Sequence, residues 1–333
     1  MKKMKNLRCS KNCLLIAAGL VLLSAFFSCS SSPKRAMQIT EIASKADERY
    51  ETANSELISG KIEDGAVHLV QAYNYAVSID DSDLLTRIFL SGISYKITVQ
   101  GLGVSVEKES SFLTLEPEVM LSKAKMFANR SERKNLLSAI CAIYEVRLNI
   151  AQSGTDYAAY IEKLSATEKS VQKEAWYFAY LKRIKGDIYM LAQDFSNAEE
   201  SYRSAAAVHT KNRYLVEIGL DWYSVARACS QAGKKSEAVK AIETALKYDR
   251  AAENSTGIAT DHFAHAKILS KGEEITDEEL MLAKNSAEWA EEIYTVIGNE
   301  FQASQASALK LELEEKISVR EAEKNSLNQS NGL

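Results

Sequence analysis

Asp261, His262 and His265 fall together in the chain. The two histidines are three residues apart, so a helix would turn both the same way. Two imidazoles and a carboxylate suggest part of a zinc site or the polar cluster of a small-ligand or peptidoglycan-active envelope enzyme, the single enzymatic reading here. Zinc needs at least three ligands with outer hydrogen-bond support. No HExxH or Cys-x-x-Cys motif accompanies them, and His68 and His209 stand alone. Gly101 and Gly103 have the spacing of a phosphate cradle, but no lysine–serine pair follows and no strand–helix unit surrounds them. Glu199-Glu200 and Glu291-Glu292 are adjacent helix positions and read as solvated surface. No Gly-x-Ser-x-Gly elbow is present. The sequence therefore reads as non-enzymatic, with no metal and no cofactor.

A second set of residues suits binding. Tyr180, Arg183, Asp187 and Met190 recur at helical spacing, and Leu220, Tyr223, Arg227 and Ser230 repeat that stripe 40 residues on. Tyrosine and arginine combine apolar contact area with hydrogen bonding. An arginine from each stripe could hold a carboxylate or an acidic peptide. Arg183 and Asp187, at i and i+4, could instead pair with each other.

The elements that carry these stripes lie in 176–249. Gly186, Tyr189, Ala198, Tyr202 and Ala205 reappear as Ala226, Cys229, Ala238, Ile242 and Ala245, each shifted by 40 residues. Small residues at this spacing let two antiparallel helices approach closely. The stretch resembles two tetratricopeptide repeats. The resemblance implies an all-α, helical-hairpin solenoid in which first helices line a concave groove and second helices form the outer wall. Tyr180, Arg183, Asp187, Tyr223 and Arg227 would then face a bound partner. Gly186, Tyr189, Trp222, Val225, Ala226 and Cys229 would face neighbouring helices.

The rest of the chain agrees in class. Only two Pro and 14 Gly occur in 333 residues, as an all-α chain requires. Apolar periodicity predicts helices over 35–58, 62–79 and 83–99, the last capped from Asp80-Asp81-Ser82-Asp83. Residues 100–115 break the pattern. Pro117 starts a helix to about 128. Further helices follow after Ser131 and over 157–172, a hairpin whose small residues do not align with the others. Later helices span 255–269, 277–297 and about 299–318. The helical-repeat domain is thus 38–319, and 320–333 reads as a disordered polar tail. Cys141 and Cys229 read as small core residues, since a disulfide would require their helices to be neighbours.

The N-terminus supplies an address. Lys2, Lys3, Lys5, Arg8 and Lys11 precede an apolar run from Leu14 to Phe27 that ends at Ser28-Cys29. The run is short for a membrane span and suits a signal peptide. A small residue before a Cys resembles the lipobox of bacterial lipoproteins, although Phe26 and Phe27 depart from its usual upstream residues. The resemblance implies removal of 1–28, a diacylglycerol on Cys29, and a tether over 29–37 that lifts the folded part off the bilayer. An uncleaved anchor and an ordinary secretory signal are the alternatives. Cleavage removes five basic residues and no acidic ones, taking the net charge from −4 to −9. That balance argues against nucleic acid.

The expectation is a scaffold lipid-anchored to an outer or cytoplasmic membrane of the bacterial envelope, binding an envelope or periplasmic protein. Its general architecture resembles the tetratricopeptide lipoproteins that accompany TRAP solute transporters. Residues 50–75 resemble the assembly-factor lipoproteins of the outer-membrane protein insertion machinery.

Overall fold

The structure, a computed structural model, describes residues 40–102, 111–272 and 274–331. Residues 1–39, including Cys29 and its tether, and the stretch that begins at Gly103 lie outside them. The described residues from Ile42 onward form one compact unit. Among the described residues it is all-α, a helical-hairpin solenoid. Six hairpins are built from α1 (Glu41–Ile58) and α2 (Ile62–Ser78), α3 (Ser82–Leu102) and α4 (Pro117–Arg130), α5 (Lys134–Ala151) and α6 (Tyr157–Val171), α7 (Ala175–Leu191) and α8 (Phe195–Asn212), α9 (Leu215–Gln231) and α10 (Lys235–Ala251), and α11 (Ser255–Leu269) and α12 (Asp277–Val296). A cap helix, α13 (Glu300–Asn331), follows. No described helix is long and apolar enough to cross a membrane.

Local chemistry sets the helix ends. The Asp81 carboxylate accepts from the Leu84 amide at 2.9 Å and starts α3. Pro117 occupies the first turn of α4, where its missing N–H costs nothing. Thr276 and Glu279 form a reciprocal capping box on α12. The turns carry the repeat as clearly as the helices do. Ser153, Gln193 and Gly233, each 40 residues apart, all adopt positive φ between paired helices, and Arg213 and Glu253 do so between hairpins. Ser153 thus brings α5–α6 into register with the two clear copies, although its small residues do not align.

The small residues do what their spacing predicts. A Cβ on Gly186 would lie 2.5 Å from the Tyr202 ring, so only glycine admits α8 this closely. Ala198, Ala205, Ala226, Ala238 and Ala245 are all buried. Cys141 and Cys229 are buried free thiols. Burial pushes them up to about 12 and about 11 respectively, which keeps both protonated and unreactive.

Three boundaries differ from the sequence reading. Helix α1 begins at Glu41, with Thr40 outside it, where the sequence reading starts at 35. Helix α3 continues to Leu102, so Gly101 is helical and forms no cradle. Helix α13 runs on to Asn331 in place of a disordered tail from 320. Arg320 donates to the Ile275 carbonyl at 2.5 Å, and both Arg320 and Lys324 pair with Asp277. These ties to the start of α12 compensate for the polar composition.

One contact joins distant parts of the chain. The α1–α2 turn places Gly60 against α11, where an added Cβ would lie 2.9 Å from the Thr256 hydroxyl. Gly60 also has φ +79°, so its lack of a side chain is required twice over.

Candidate functional site: the inner face of the odd-numbered helices

The odd-numbered helices line three cavities. The largest, about 730 Å³, lies over α5, α7 and α9. Ile97, Ile150, Met190 and Leu191 make its apolar wall, and Arg147, Asp187 and Arg227 its charged one. The next, about 510 Å³, shares Arg227 and Gln231 with the first and extends across α9 and α11 to Tyr223, Phe263, Lys267 and Tyr294. The two cavities adjoin at those side chains and are called the groove below.

Its charges follow the repeat. Arg147, Asp187, Arg227 and Lys267 stand at 40-residue intervals, one on each of α5, α7, α9 and α11. Arg227 lies 5.9 Å over the Tyr223 ring, and the Lys267 ammonium 4.0 Å over Phe263. Both cations are held beside an aromatic face. Asp187 accepts from the Tyr202 hydroxyl at 2.7 Å. Burial raises its carboxyl above the usual range, while that hydrogen bond and Arg183, Arg227 and Arg147 act in the opposite direction. Arg147 donates to Ser94.

Of the five groove residues read from the sequence, Asp187, Tyr223 and Arg227 line the groove, whereas Tyr180 and Arg183 do not. Tyr180 is buried, stacked on Trp176 at 5.1 Å and packed 5.4 Å from Tyr144. Arg183 crosses to the next hairpin. Its Nε donates to Asp221 at 2.7 Å and its Nη2 to the Glu217 carbonyl at 3.3 Å. It does not bond Asp187, its i+4 neighbour. The other Asp221 oxygen lies 2.6 Å from His209 Nδ1, so one buried carboxylate serves a guanidinium and an imidazole between α7, α8 and α9.

Sequence reasoning missed Arg147 and Lys267. Carrying the Asp187–Arg227 interval one step back and one step forward finds both.

Asp261, His262 and His265 do not converge. Asp261 hydrogen-bonds Asp249, His262 lies 3.4 Å from Arg250, and His265 lies 3.0 Å from Ser286. Burial and the nearby Arg250 push His262 down to about 4, so its imidazole is neutral at neutral pH. Among the described residues no group of three or more His, Cys, Asp or Glu could hold a metal ion.

A third cavity, about 350 Å³, lies among α1, α3, α5, α7 and α9. Arg87, Glu51 and Glu217 stand in its wall beside a cluster of tyrosines and Trp176.

No protein-family model and no curated protein matches the sequence. Solved structures do match in fold. A Rap protein crystallised with competence and sporulation factor is 13% identical, with 84% of this chain and 78% of that one covered, at a TM-score of 0.52. The apo form of RapI is 11% identical over 83% of this chain and 72% of that one, at a TM-score of 0.57. A STAND-class signal-transduction ATPase from Pyrococcus horikoshii with a tetratricopeptide-repeat sensor is 13% identical over 83% and 43%, at a TM-score of 0.46. At these identities the likeness is one of fold, and the fold of this chain is the tetratricopeptide-type helical solenoid.

Proposed function

We propose that the protein is a lipid-tethered scaffold of the bacterial cell envelope that binds an extended, acidic segment of a partner protein along its inner face. The observation that carries this reading is the row of charges at 40-residue intervals in the two adjoining cavities, in which Arg147, Arg227 and Lys267 outnumber the single acid Asp187. A solenoid presents such a row at a fixed pitch, matching a chain laid across successive helices. Apolar walls between the charges supply contact area, and the arginines supply paired hydrogen bonds to carboxylates. The Rap protein bound to competence and sporulation factor shows that a fold of this kind can accommodate another molecule.

Affinity capture from the native envelope tests the reading. Wild-type protein should retain an envelope or periplasmic partner. The double variant Arg227→Glu, Lys267→Glu should lose at least about tenfold in affinity, equivalent to about 1.4 kcal/mol, with its helical circular dichroism unchanged. Equal capture by both would count against the groove. The captured protein also separates a solute-binding subunit of a TRAP transporter from a component of the outer-membrane insertion machinery.

The anchor has its own test. Radiolabelled palmitate should enter the wild-type protein, and Cys29→Ala should abolish the label. A variant that still carries label would overturn lipidation at Cys29.

A further inference from the structure

The third cavity has a chemistry the groove lacks. Arg87 sits with its guanidinium 5.1 Å over the Tyr50 ring. Its Nη2 reaches Asp47 at 3.7 Å. Its Nε is buried and meets no hydrogen-bond acceptor among the described residues. That nitrogen is closed to solvent, so a ligand would be met by the rest of the guanidinium, on a side chain that is 25% exposed.

The opposite charge stands in the same wall. Glu217 accepts from Trp176 Nε1 at 2.9 Å, which fixes its carboxylate. Glu51 stands in the wall with it. Burial raises the Glu51 carboxyl, Arg87 opposes the rise, and Asp47 and Glu217 add to it. Two carboxylates thus repel each other beside a guanidinium that already serves Asp47. The aromatic surface is continuous, since Trp176 packs edge-on against Tyr177 at 5.1 Å. Aromatic faces beside carboxylates favour an ammonium group.

An anion alone would satisfy Arg87 and worsen the repulsion with Glu51 and Glu217. A cation alone would relieve that repulsion and bring the guanidinium no anion. We infer that this cavity binds a small zwitterion of the free α-amino-acid class, its carboxylate on Arg87 and its ammonium between Glu51 and Glu217 against the Trp176–Tyr177 pair. The volume, about 350 Å³, is at the small end of the range for ligand pockets. Helix α1 contributes one side of the cavity and α7 and α9 the other, so the ligand bridges the first hairpin and the central ones.

Calorimetric titration of the full chain with each of the twenty free L-amino acids tests the inference. At least one should bind saturably. Its N-acetyl derivative, which lacks the ammonium, and its carboxamide, which lacks the carboxylate, should each bind at least tenfold more weakly. A dipeptide of the same residue, which separates the two charges, should also be weaker. Arg87→Gln should weaken the free amino acid tenfold or more and leave the carboxamide unaffected. Glu217→Gln should do the converse with the N-acetyl derivative as the insensitive ligand. Circular dichroism checks that both variants are folded. The Arg227→Glu, Lys267→Glu variant should bind the amino acid as wild type does, so failure of the groove and failure of this cavity are read separately. No saturable binding by any of the twenty at millimolar concentration would overturn the inference, as would equal binding of the blocked derivatives or wild-type affinity in Arg87→Gln.

Discussion

Replacing Asp221 with alanine is expected to lower the unfolding free energy by about 3–5 kcal/mol, the range for removing one partner from a buried charge pair. Asp221 is fully buried, and both of its oxygens are engaged. Arg183 keeps only 11% of its side chain exposed. Without Asp221 its guanidinium would stay buried with the Glu217 carbonyl as its remaining acceptor among the described residues. The His209 imidazole, also fully buried, would lose the one side-chain hydrogen bond it makes among the described residues and keep an unpartnered Nε2. Urea denaturation monitored by circular dichroism measures the cost. A contrasting variant separates charge from packing: Arg183→Met, Asp221→Leu, His209→Phe replaces the whole network with apolar groups and should recover most of the loss, because no buried charge then lacks a partner. A loss below about 1 kcal/mol in Asp221→Ala would show that water reaches Arg183 and that the network is not the joint between the two clearest hairpins.

Stability should fall as pH rises from about 5 towards 9, and Asp261→Asn should flatten that slope. The buried slot filled by His209 and Asp221 is filled one repeat later by Asp249 and Asp261, each exactly one 40-residue step along. Tyr223 takes the place of Arg183, so no cation reaches the second slot. Asp249 lies against Gly219 and Gly257, whose added Cβ atoms would collide with its carboxyl. It also accepts from Asn254 at 2.8 Å. A proton takes the part of the missing cation. Burial and the charge of Asp249 push Asp261 up to about 9, and Asp261 donates to Asp249.

The sign follows from proton binding. Above pH 4 the unfolded chain has lost the Asp261 proton while the folded chain keeps it. The resulting stabilisation is complete below the unfolded pKa and is lost as pH rises through the folded one. One such proton gives a slope of about −1.4 kcal/mol per pH unit within that window. Asparagine keeps the donor to Asp249 and does not titrate, so the variant should be more stable than wild type at pH 8. Equal pH slopes for variant and wild type would remove Asp261 as the titrating group.

The helices were largely legible because local rules decide them. Pro117, the Asp81 cap and the apolar stripes of 62–79 and 255–269 fix their elements within a residue or two of those observed. The groove was legible where the repeat itself carries it, as at Asp187, Tyr223 and Arg227. Arg183 misled because its helix offers Asp187 one turn away, while its actual partner, Asp221, lies on the next hairpin. Only the superposition of hairpins brings those two together. Arg147 escaped notice because small residues were used to align its hairpin, and the charged row, not the small-residue row, is what that hairpin shares with its neighbours. The Arg87–Glu217 cavity had no local signal at all. Its walls come from five helices that meet only when α1 approaches α7 and α9.

The contact between Gly60 and Thr256 bears on how the chain comes apart. A solenoid whose hairpins touch only their neighbours melts from its ends, each unit lost almost independently. The close approach of the first turn to the sixth hairpin adds a contact between units that are remote in sequence, and with it a loop-closure cost at assembly. Fraying of the first hairpin then exposes α11 as well, and loosening of α11 frees the first hairpin. Hydrogen exchange should accordingly show α1, α2 and α11 opening as one cooperative block, with the protection of a central segment in place of the gradient expected of a terminus.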